Sequence, residues 1–544
     1  MNRRDLEIPQ GKRTKLYRFF EILPGVISYG AIILLFLLSW LDPVAGAVYL
    51  FILISATLVK AIGVAFRTVQ GYNVIKRALH IDWRKRIEDL ENPHEAYERL
   101  RDSNNKSYHF DEHVENLKLI AAMGKEYPTP SKIYHVVIMT AYNEGEEVLT
   151  PSIEAVKDTT FPNDRIIFVL AYEERGGAAM EATAEALEKK YKGVFKQFLL
   201  VKHPDNIPGE IVGKGPNLAY AGNAVKEYVA DVNLPVENII VTSLDSDNHM
   251  HPKYLDSVAY EFITHPNRQR LSYQPVSIFT NNIWDAPAPS RVIAVSNSFF
   301  NVITTMRPHV IRNFASHSQP LQALEAMDFW SKRTIVEDGH QYWRSLFFFH
   351  GDYTVLPIRV PIYQDAVIDD TFWKTVKAQF VQVRRWYYGA SDVAYVGTRL
   401  FAKKEDRIMP FWQLFPKFWR LLDGHITLAI LAPIVAFGGW VPMIMNTSAH
   451  TMVAYNLPNI VSVVETVASI GLIVSVLVSF KILPKRPAKY RKGRSILMLI
   501  QWILMPITSI IYQSLAAFYA QTRLMLGLYM EKFDVTKKVV KKNQ

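Results

Sequence analysis

The sequence predicts an α/β domain built on a mixed, mainly parallel sheet with helices on both faces, joined to α-helical transmembrane segments. Strand-like apolar runs alternate with helical patterns in the middle of the chain, a pattern typical of parallel sheets. Long apolar runs lie on both sides of this region, and each is long enough for a helix that crosses a bilayer. Most polar motifs fall between these runs.

Composition limits the classes of function. The formal net charge of +11 is compatible with nucleic-acid binding or with a membrane protein whose inner loops are rich in Lys and Arg. The second explanation is favoured because the basic residues lie beside the apolar runs, so no nucleic-acid partner is expected. The chain has no cysteine, which excludes disulfides, thiol catalysis and Cys-zinc sites.

Two apolar runs near the N-terminus, 23–40 and 45–66, predict a transmembrane hairpin within residues 1–66. The basic residues before the first run place the N-terminus in the cytoplasm. Residues 67–408 contain no apolar stretch long enough to span a bilayer, so they predict a domain that faces the cytoplasm. The chain is therefore expected to be an integral protein of the plasma membrane that contacts membrane lipids.

The C-terminal third predicts further membrane segments. Residues 409–422 interleave aromatic and basic side chains, which indicates an amphipathic helix in the membrane interface, with a packed helix of the soluble domain as the alternative. Residues 423–520 contain the remaining apolar segments. Five full crossings would leave the basic tail, 521–544, outside. Because Pro506 interrupts the last run, we expect that run to dip into the membrane or lie along it, and the tail to be cytoplasmic.

Within the central region, the pattern predicts four strands and several helices. Parallel strands collect ligands at their carboxyl ends, so the residues that follow each strand are the candidates for a site. Residues 83–105 are charged and are predicted to be helical. The predicted strands are 135–139, 165–171, 198–201 and 238–244, and the predicted helices between them include 178–191 and 217–230.

Asp245 and Asp247 end the fourth predicted strand and are the candidate metal ligands. Two carboxylates at this position can hold Mg²⁺ or Mn²⁺ against a diphosphate. A solvated turn is the alternative, but the six-residue apolar strand that precedes the pair favours a site. His249 and His251 are better explained as surface or capping residues.

Two further positions follow predicted strands or precede helices. Tyr142 and Glu144 come directly after the first strand, where a ring and a carboxylate can hold a base and a ribose. A plain strand-to-helix turn explains them equally well. Lys214 lies on a glycine-rich turn before a helix, where it suits a phosphate, although a solvated lysine is an equal alternative.

Two motifs near the end of the central region complete the set. Glu337 and Asp338 open a predicted helix, where acids are favoured by the helix dipole but can also act as a general base. Arg385 and Trp386 lie in a predicted helix, 371–388, together with Gln382. A guanidinium beside an indole can pair with a diphosphate and form a floor for a sugar, and packing of the indole in a groove is the alternative.

In this order, the motifs resemble those of the membrane-integrated family 2 glycosyltransferases, the group of cellulose, chitin and hyaluronan synthases. The resemblance covers residues 135–386, the flanking spans and the tail motif that begins at Phe533. It implies a GT-A fold for residues 67–408 and an inverting, metal-dependent transfer of a sugar from a nucleotide-sugar donor, expected to be a UDP-sugar, to an acceptor hydroxyl. Polysaccharide synthesis is the leading expectation, and a lipid acceptor, either polyprenyl phosphate or a glycolipid, is the alternative. A scaffold or transporter is a remote one.

The resemblance also implies roles for individual residues. The aspartate of the acidic pair, Asp338, would be the general base. Glu173 stands where the family usually has an aspartate after the second strand and would contact the nucleotide base. Thr536 and Lys538 match a loop that closes over the donor in cellulose synthases. The candidate catalytic residues are Asp338 and Glu337, the metal ligands are Asp245 and Asp247, and the donor-binding residues are Tyr142, Glu144, Glu173, Lys214, Asp245, Gln382, Arg385, Trp386, Thr536 and Lys538.

Overall fold

The computed structural model describes residues 6–446 and 452–534. Eight strands form one sheet in the order β3-β2-β1-β4-β7-β6-β8-β5. The pairs β1-β2, β1-β4, β2-β3 and β6-β8 are parallel, and the other pairs are antiparallel. The predicted mixed, mainly parallel sheet is therefore confirmed. The strands are β1 Tyr134–Ala141, β2 Ile166–Glu173, β3 Gln197–His203, β4 Ile239–Asp245, β5 His249–Met250, β6 Leu271–Phe279, β7 Ser318–Pro320 and β8 Thr354–Gln364.

Helices cover both faces of the sheet and form the membrane region. In the first half of the described chain they are α1 Lys15–Leu41, α2 Pro43–Leu79, α3 Trp83–Asp89, α4 Pro93–Leu100, α5 Phe110–Met123, α6 Glu146–Lys157, α7 Gly177–Tyr191, α8 Lys214–Asp231, α9 Tyr254–Thr264 and α10 Ala288–Thr305. In the second half they are α11 Leu321–Ala326, α12 Glu337–Phe348, α13 Phe372–Tyr387, α14 Asp392–Leu400, α15 Phe411–Phe437, α16 Val441–Met445, α17 Met452–Ile482, α18 Gly493–Ile500, α19 Met505–Thr508 and α20 Ala516–Leu526.

The sheet is buried on both faces because its central strands carry apolar side chains on both sides, so that successive residues pack into opposite cores. In β1, Val137 and Met139 pack into a core with α5, α6, α7 and α9. Val136 and Ile138 of the same strand point to the opposite face and pack against α8 and α11. A strand with two apolar faces reads as a continuous apolar run, which is why the sequence indicated these strands clearly.

The parallel register brings the polar ends of β1, β2 and β4 to one edge of the sheet. Thr140 of β1 pairs with Asp245 of β4, and Ala141 pairs with Tyr172 of β2. The turns after these strands therefore lie side by side at the carboxyl edge, where parallel sheets bind their ligands.

The predicted single helical stretch at 83–105 is wrong in one respect, because the structure has two short helices there. Helix α3 ends at Asp89, and α4 begins at Pro93 after the cap residue Asn92. A proline at the first position of a helix lacks only an N–H that would be unpaired anyway, whereas inside a helix it would break the hydrogen-bond ladder. Pro93 therefore starts a new helix.

Three helical segments of the described chain are long and apolar enough to cross a membrane: Lys15–Leu41, Phe411–Met445 and Gly493–Leu526. They contain three of the five predicted apolar runs. The other two runs fall within α2 and α17. Of the residues predicted as an interfacial helix, 409–422, those from Phe411 onward form the beginning of α15, which continues without interruption into the apolar run. An interfacial position for them stays a prediction.

The last apolar segment, Gly493–Leu526, begins and ends beside the sheet domain. Near its start, Arg291 Nε of α10 donates to Gln501 Oε1 at 2.6 Å. Beyond its end, Phe533 N donates to the Val212 carbonyl at 2.8 Å, just before α8. The segment departs from regular α-helix in between, with a π-helical turn before α20. The segment therefore contacts the sheet domain near its start, and the described part of the tail begins next to that domain.

Candidate active site

Lys214, the first residue of α8, lies at the centre of a group of carboxylates. Its Nζ is 2.8 Å from Asp245 Oδ1, at the end of β4. The same atom is 3.3 Å from Asp338 Oδ1 and 3.6 Å from Glu337 Oε1, both at the start of α12. The fold thus joins three predicted site motifs that are separated by more than thirty residues from one another in the printed sequence.

Two glycines let α8 approach this group closely. A Cβ on Gly215 would lie 2.4 Å from the Ser331 carbonyl oxygen and 3.1 Å from Glu337 Cβ, so a larger residue would push α8 away from α12. A Cβ on Gly213 would lie 3.3 Å from Phe533 Cβ, in the tail. The glycine-rich turn therefore positions Lys214 and leaves room for the tail beside it.

Opposite charges keep this buried group together. Burial disfavours the ammonium of Lys214, but the surrounding carboxylates outweigh it and raise its pKa above the ordinary value. Burial raises the pKa of Glu337, and the negative charge of Asp338 raises it further, while Lys214 partly opposes the rise. Lys214 is therefore charged at neutral pH, and Glu337 retains its proton more readily than a solvated carboxyl group.

Arg385 of α13 supplies a second cation to the group. Burial lowers its pKa, and the negative charges of Glu337 and Asp245 oppose that change. Its Nη1 donates to the Asp534 carbonyl at 3.1 Å, and its guanidinium lies 3.7 Å from the centroid of the Phe533 ring. The described part of the tail thus contacts Arg385 through both Phe533 and Asp534.

A second set of predicted residues lines the neighbouring part of the edge. Glu144 Oε2 accepts from the backbone N–H of Tyr142 at 2.7 Å, and its Oε1 accepts from Ser246 Oγ at 3.1 Å. Glu144 therefore ties the turn after β1 to the turn after β4. Glu173 forms an ion pair with Arg175, whose guanidinium lies 4.8 Å from the centroid of the Tyr142 ring.

The residues at the end of β4 suit a divalent cation. Asp245 and Asp247 offer carboxylate oxygens, the ligands that Mg²⁺ and Mn²⁺ prefer. Among the described residues, no group of three His, Asp or Glu side chains is arranged to hold a metal by itself. The pair fits a cation whose remaining ligands come from phosphate oxygens and water, which is how Mg²⁺ is commonly held beside phosphates.

Some predicted residues are not joined to the acidic group by the contacts of the described chain. Gln382 Oε1 accepts from Gln379 Nε2 at 3.2 Å, one turn earlier on α13. The Trp386 ring lies 6.3 Å from the ring of Phe279, at the end of β6. Thr536 and Lys538 lie outside the described residues.

Sequence reasoning missed two polar residues of the site. His317 is fully buried, with its Nδ1 3.9 Å from Asp338 Oδ1, and burial lowers its pKa. It precedes β7, a three-residue strand with no apolar pattern that could have indicated its position. Asn217 Nδ2 donates to the Ala171 carbonyl at 3.0 Å and joins α8 to β2. Its position in the same Gly213–Asn217 stretch as Lys214 could have indicated that Asn217 lies at the site.

Comparison with known proteins gives distant structural likenesses only. No protein-family model matches the chain, and no curated protein sequence matches it. A mannosyltransferase from Pyrobaculum calidifontis, solved with GDP-Man and Mn²⁺, aligns with 84% of this chain and 98% of its own at 13% identity and a TM-score of 0.37. The S. aureus TarS fragment 1–349, solved with UDP, aligns with 74% of this chain and 94% of its own at 11% identity and a TM-score of 0.33. Likenesses at this level carry no conclusion about the chemistry of this chain.

Proposed function

We propose that this chain is a membrane-integrated family 2 glycosyltransferase that transfers a hexosyl group from a nucleotide-sugar donor, a UDP-sugar, to an acceptor hydroxyl with inversion. The observation that carries the proposal is the meeting of Asp245, Glu337 and Asp338 around Lys214 at the carboxyl edge of the sheet. Acids that accept a proton and cations that stabilise a diphosphate are the groups this reaction needs.

Asp338 is the better candidate for the general base. The Asp338 side chain is 19% exposed, whereas that of Glu337 is only 3% exposed. An acceptor hydroxyl can therefore reach Asp338 more readily than Glu337, which is almost fully buried. In the proposed step the hydroxyl oxygen attacks the anomeric carbon, its proton passes to Asp338, and the bond from that carbon to the diphosphate oxygen breaks.

Lys214 and Arg385 would stabilise the diphosphate that leaves. Lys214 is buried in contact with the acids, and Arg385 is half-buried and close enough to feel their charge. Both cations are therefore held where negative charge develops in the reaction and need little reorganisation. Asp245 and Asp247 would hold Mg²⁺ or Mn²⁺, which neutralises phosphate charge when bound. The nucleoside would be contacted by Tyr142, Glu144 and Glu173, and Arg175 is a further candidate for this contact.

The acceptor is proposed to be a sugar hydroxyl, as in polysaccharide synthesis. A hydroxyl must lose a proton to react, and the partly exposed Asp338 can take it. A lipid phosphate is already anionic and needs no base, so polyprenyl phosphate is the less favoured acceptor. A glycolipid hydroxyl would satisfy the same argument. We infer that the site faces the cytoplasm of a plasma-membrane protein, because Gln10 and Phe533 both contact the sheet domain and the basic N-terminal flank favours the cytoplasmic side.

The test is release of nucleoside diphosphate by the detergent-purified chain with a panel of nucleotide sugars and Mg²⁺ or Mn²⁺. We expect turnover of one donor, and a loss of about 10²–10⁴-fold in Asp338→Asn, the range typical of general-base removal. Binding of the donor should change little in this variant. EDTA should also abolish turnover. Asp164→Asn, an exposed acid at the opposite end of β2, is the matched control and should be fully active.

Two results would contradict the proposal. Turnover that is equal in Asp338→Asn and Asp164→Asn would show that Asp338 takes no proton. Silence across the whole panel, with membranes and lipid acceptors added back and the chain shown to be folded, would remove the sugar-transfer reaction itself. Sizing of the product would then decide between a polysaccharide and a single transferred sugar.

A further inference from the structure

His317 lies fully buried beside Asp338, and the proposed reaction assigns it no step. Its Nδ1 is 3.0 Å from the Phe314 carbonyl oxygen, which can only accept, so Nδ1 carries a proton and donates. The same nitrogen is 3.9 Å from Asp338 Oδ1. Burial lowers the pKa of the imidazole, so the ring is neutral at neutral pH. His317 therefore presents one N–H to the space between a backbone carbonyl and the candidate base.

The backbone around His317 is held by contacts on both sides. The preceding residue, Ser316, is fully buried and has a φ of +60°, a left-handed conformation that is uncommon for residues other than glycine. The His317 carbonyl accepts from the backbone N–H of Ser243, near the end of β4, at 3.0 Å. Residues that their surroundings hold in uncommon conformations are concentrated at functional sites. These contacts fix the backbone from which the His317 ring reaches Asp338.

The same turn is tied to the candidate metal ligands. Asn248 directly follows Asp247, is almost fully buried, and donates from its Nδ2 to Ser316 Oγ. Its backbone N–H donates to the Asp245 carbonyl at 3.0 Å. Hydrogen bonds therefore connect the turn that carries both candidate metal ligands with the residue next to His317.

Lys214 alone does not decide which Asp338 oxygen meets the acceptor. Its Nζ is 3.3 Å from Oδ1 and 3.4 Å from Oδ2, so it contacts the two oxygens almost equally. His317 Nδ1 approaches Oδ1 instead. At 3.9 Å it attracts that oxygen without forming a hydrogen bond, and contacts between catalytic groups commonly shorten when substrate binds. Attraction at Oδ1 leaves Oδ2 to take the proton.

We propose that His317 is a positioning residue, which engages Asp338 Oδ1 through its Nδ1–H and so directs Oδ2 to the acceptor hydroxyl. His317 keeps its own proton throughout, and the proton of the hydroxyl passes to Oδ2. Asn248 extends this arrangement to the turn of the candidate metal ligands. The inference rests on the proposed function, because His317 has this role only if Asp338 is the base.

The test is nucleoside diphosphate release by His317 variants of the detergent-purified chain, with the UDP-sugar that the wild type turns over. His317→Leu should lower kcat about ten-fold, the effect of one hydrogen bond to a charged group at the lower end of its range. The KM for the donor should change little, because only the orientation of the base is lost.

Two polar variants identify the nitrogen that matters. In His317→Asn the amide nitrogen is bonded to Cγ, as Nδ1 is, so it can donate in place of Nδ1 and should retain most of the activity. In His317→Gln the amide nitrogen lies one bond further from the backbone, so this variant should lose as much activity as His317→Leu.

A double variant separates this role from a purely structural one. If His317 acts through Asp338, His317→Leu should cause no further loss in the Asp338→Asn background, whereas damaged packing would lower the rate in both backgrounds. His135→Leu is the matched control, because His135 is also fully buried but lies near the start of β1, at the opposite edge of the sheet. This control should keep the kcat of the wild type.

Three outcomes would overturn the inference: full kcat in His317→Leu, equal loss in His317→Asn and His317→Gln, or a further loss when His317→Leu is added to Asp338→Asn. Should His317→Leu fail to fold, the comparison of the Asn and Gln variants decides, since both keep a polar side chain. A fully active Asp338→Asn would instead contradict the proposed function, so the two failures can be told apart.

Discussion

At the scale of single residues, the candidate site depends on the balance between its negatively charged carboxylates and its two positively charged side chains. Lys214 touches three carboxylates, and Arg385 approaches the same group from α13. Removal of one member leaves the others buried and uncompensated, which is more costly than loss of an exposed ion pair. Two predictions follow from this balance.

Lys214→Met should destabilise the chain, because it leaves the carboxylates close to one another without the cation that contacts them directly, and only Arg385 remains nearby. Breaking a buried ion pair from one side typically costs about 3–5 kcal/mol, and the partial exposure of Asp245 and Asp338 favours the lower end of this range. Thermal or chemical unfolding in detergent, followed by tryptophan fluorescence, measures the effect. Lys226→Met removes an exposed lysine from the same helix and should change stability little. Equal stability of the two variants would contradict the ion-pair network.

Glu337 should make the stability of the chain depend on pH. Its pKa in the folded chain is raised above the ordinary carboxyl value of 4.5 by burial and by Asp338. Between these two pKa values the folded state holds a proton that the unfolded state has released, so stability falls as pH rises from 4.5 toward the folded pKa. Glu337→Gln mimics the neutral form and should remove this fall.

The measurement is the unfolding free energy of the wild type and of Glu337→Gln at several pH values. The variant should gain stability relative to the wild type as pH increases through the window. A constant difference between the two proteins across that window would mean that Glu337 ionises as easily in the folded chain as in the unfolded one.

At the scale of elements, the N-terminal segment before α1 supports the helix that carries the acids. Arg344 of α12 is almost fully buried and its Nη2 lies 3.0 Å from Glu7 Oε1. Glu7 Oε2 accepts from Ser331 Oγ at 2.6 Å, and Ser331 is the residue whose carbonyl faces Gly215. One side chain thus supports both α12, with Asp338, and the start of α8, with Lys214.

Glu7→Gln should therefore loosen α12 as well as lower stability. Hydrogen exchange of the backbone amides in α12 should accelerate, because Arg344 loses its carboxylate while remaining buried. Mass spectrometry of exchanged peptides measures this in the intact chain. Lys12→Gln, an exposed change in the same segment, is the control. Unchanged exchange in α12 would show that Glu7 does not support this helix.

At the scale of the whole molecule, the start of α1 lies beside the end of α20. Arg18 at the start of α1 donates to the Leu524 carbonyl at 3.0 Å, at the end of α20. Asn446, in contrast, donates to the Trp40 carbonyl at 3.3 Å, at the far ends of α16 and α1. Asn446 therefore lies at the opposite end of α1 from Arg18 and the end of α20, which predicts that it lies on the other side of a membrane that α1 crosses.

This arrangement predicts which positions react with a membrane-impermeant maleimide. The chain has no cysteine, so any maleimide labelling of a single-cysteine variant reports on the substituted position alone. Asn104→Cys in the sheet domain and Glu531→Cys in the tail should react from the same side of sealed vesicles, and Asn446→Cys should react from the other side. Reaction of Glu531→Cys together with Asn446→Cys would mean that the last apolar segment crosses the membrane completely.

The sequence alone determined the parts of this protein that depend on local patterns. Strands β1, β2 and β4 could be predicted within one or two residues, because strands buried on both faces form continuous apolar runs bounded by polar turns. The long apolar runs could also be predicted, because hydropathy is a local pattern. The positions of the acids at the end of β4 and the start of α12 could be predicted because each acid follows or opens a recognisable element.

Only the tertiary structure decided which of these residues meet. No local pattern could show that Lys214 lies among Asp245, Glu337 and Asp338, since these contacts join distant parts of the chain. The place of His317 in the site could not be predicted, because β7, which follows it, is too short to show a periodic pattern. The contact of Phe533 with Val212 likewise joins distant parts of the chain, whereas the cytoplasmic side of the tail stays a prediction. Periodicity reports which face of an element is buried, whereas long-range packing determines what it is buried against.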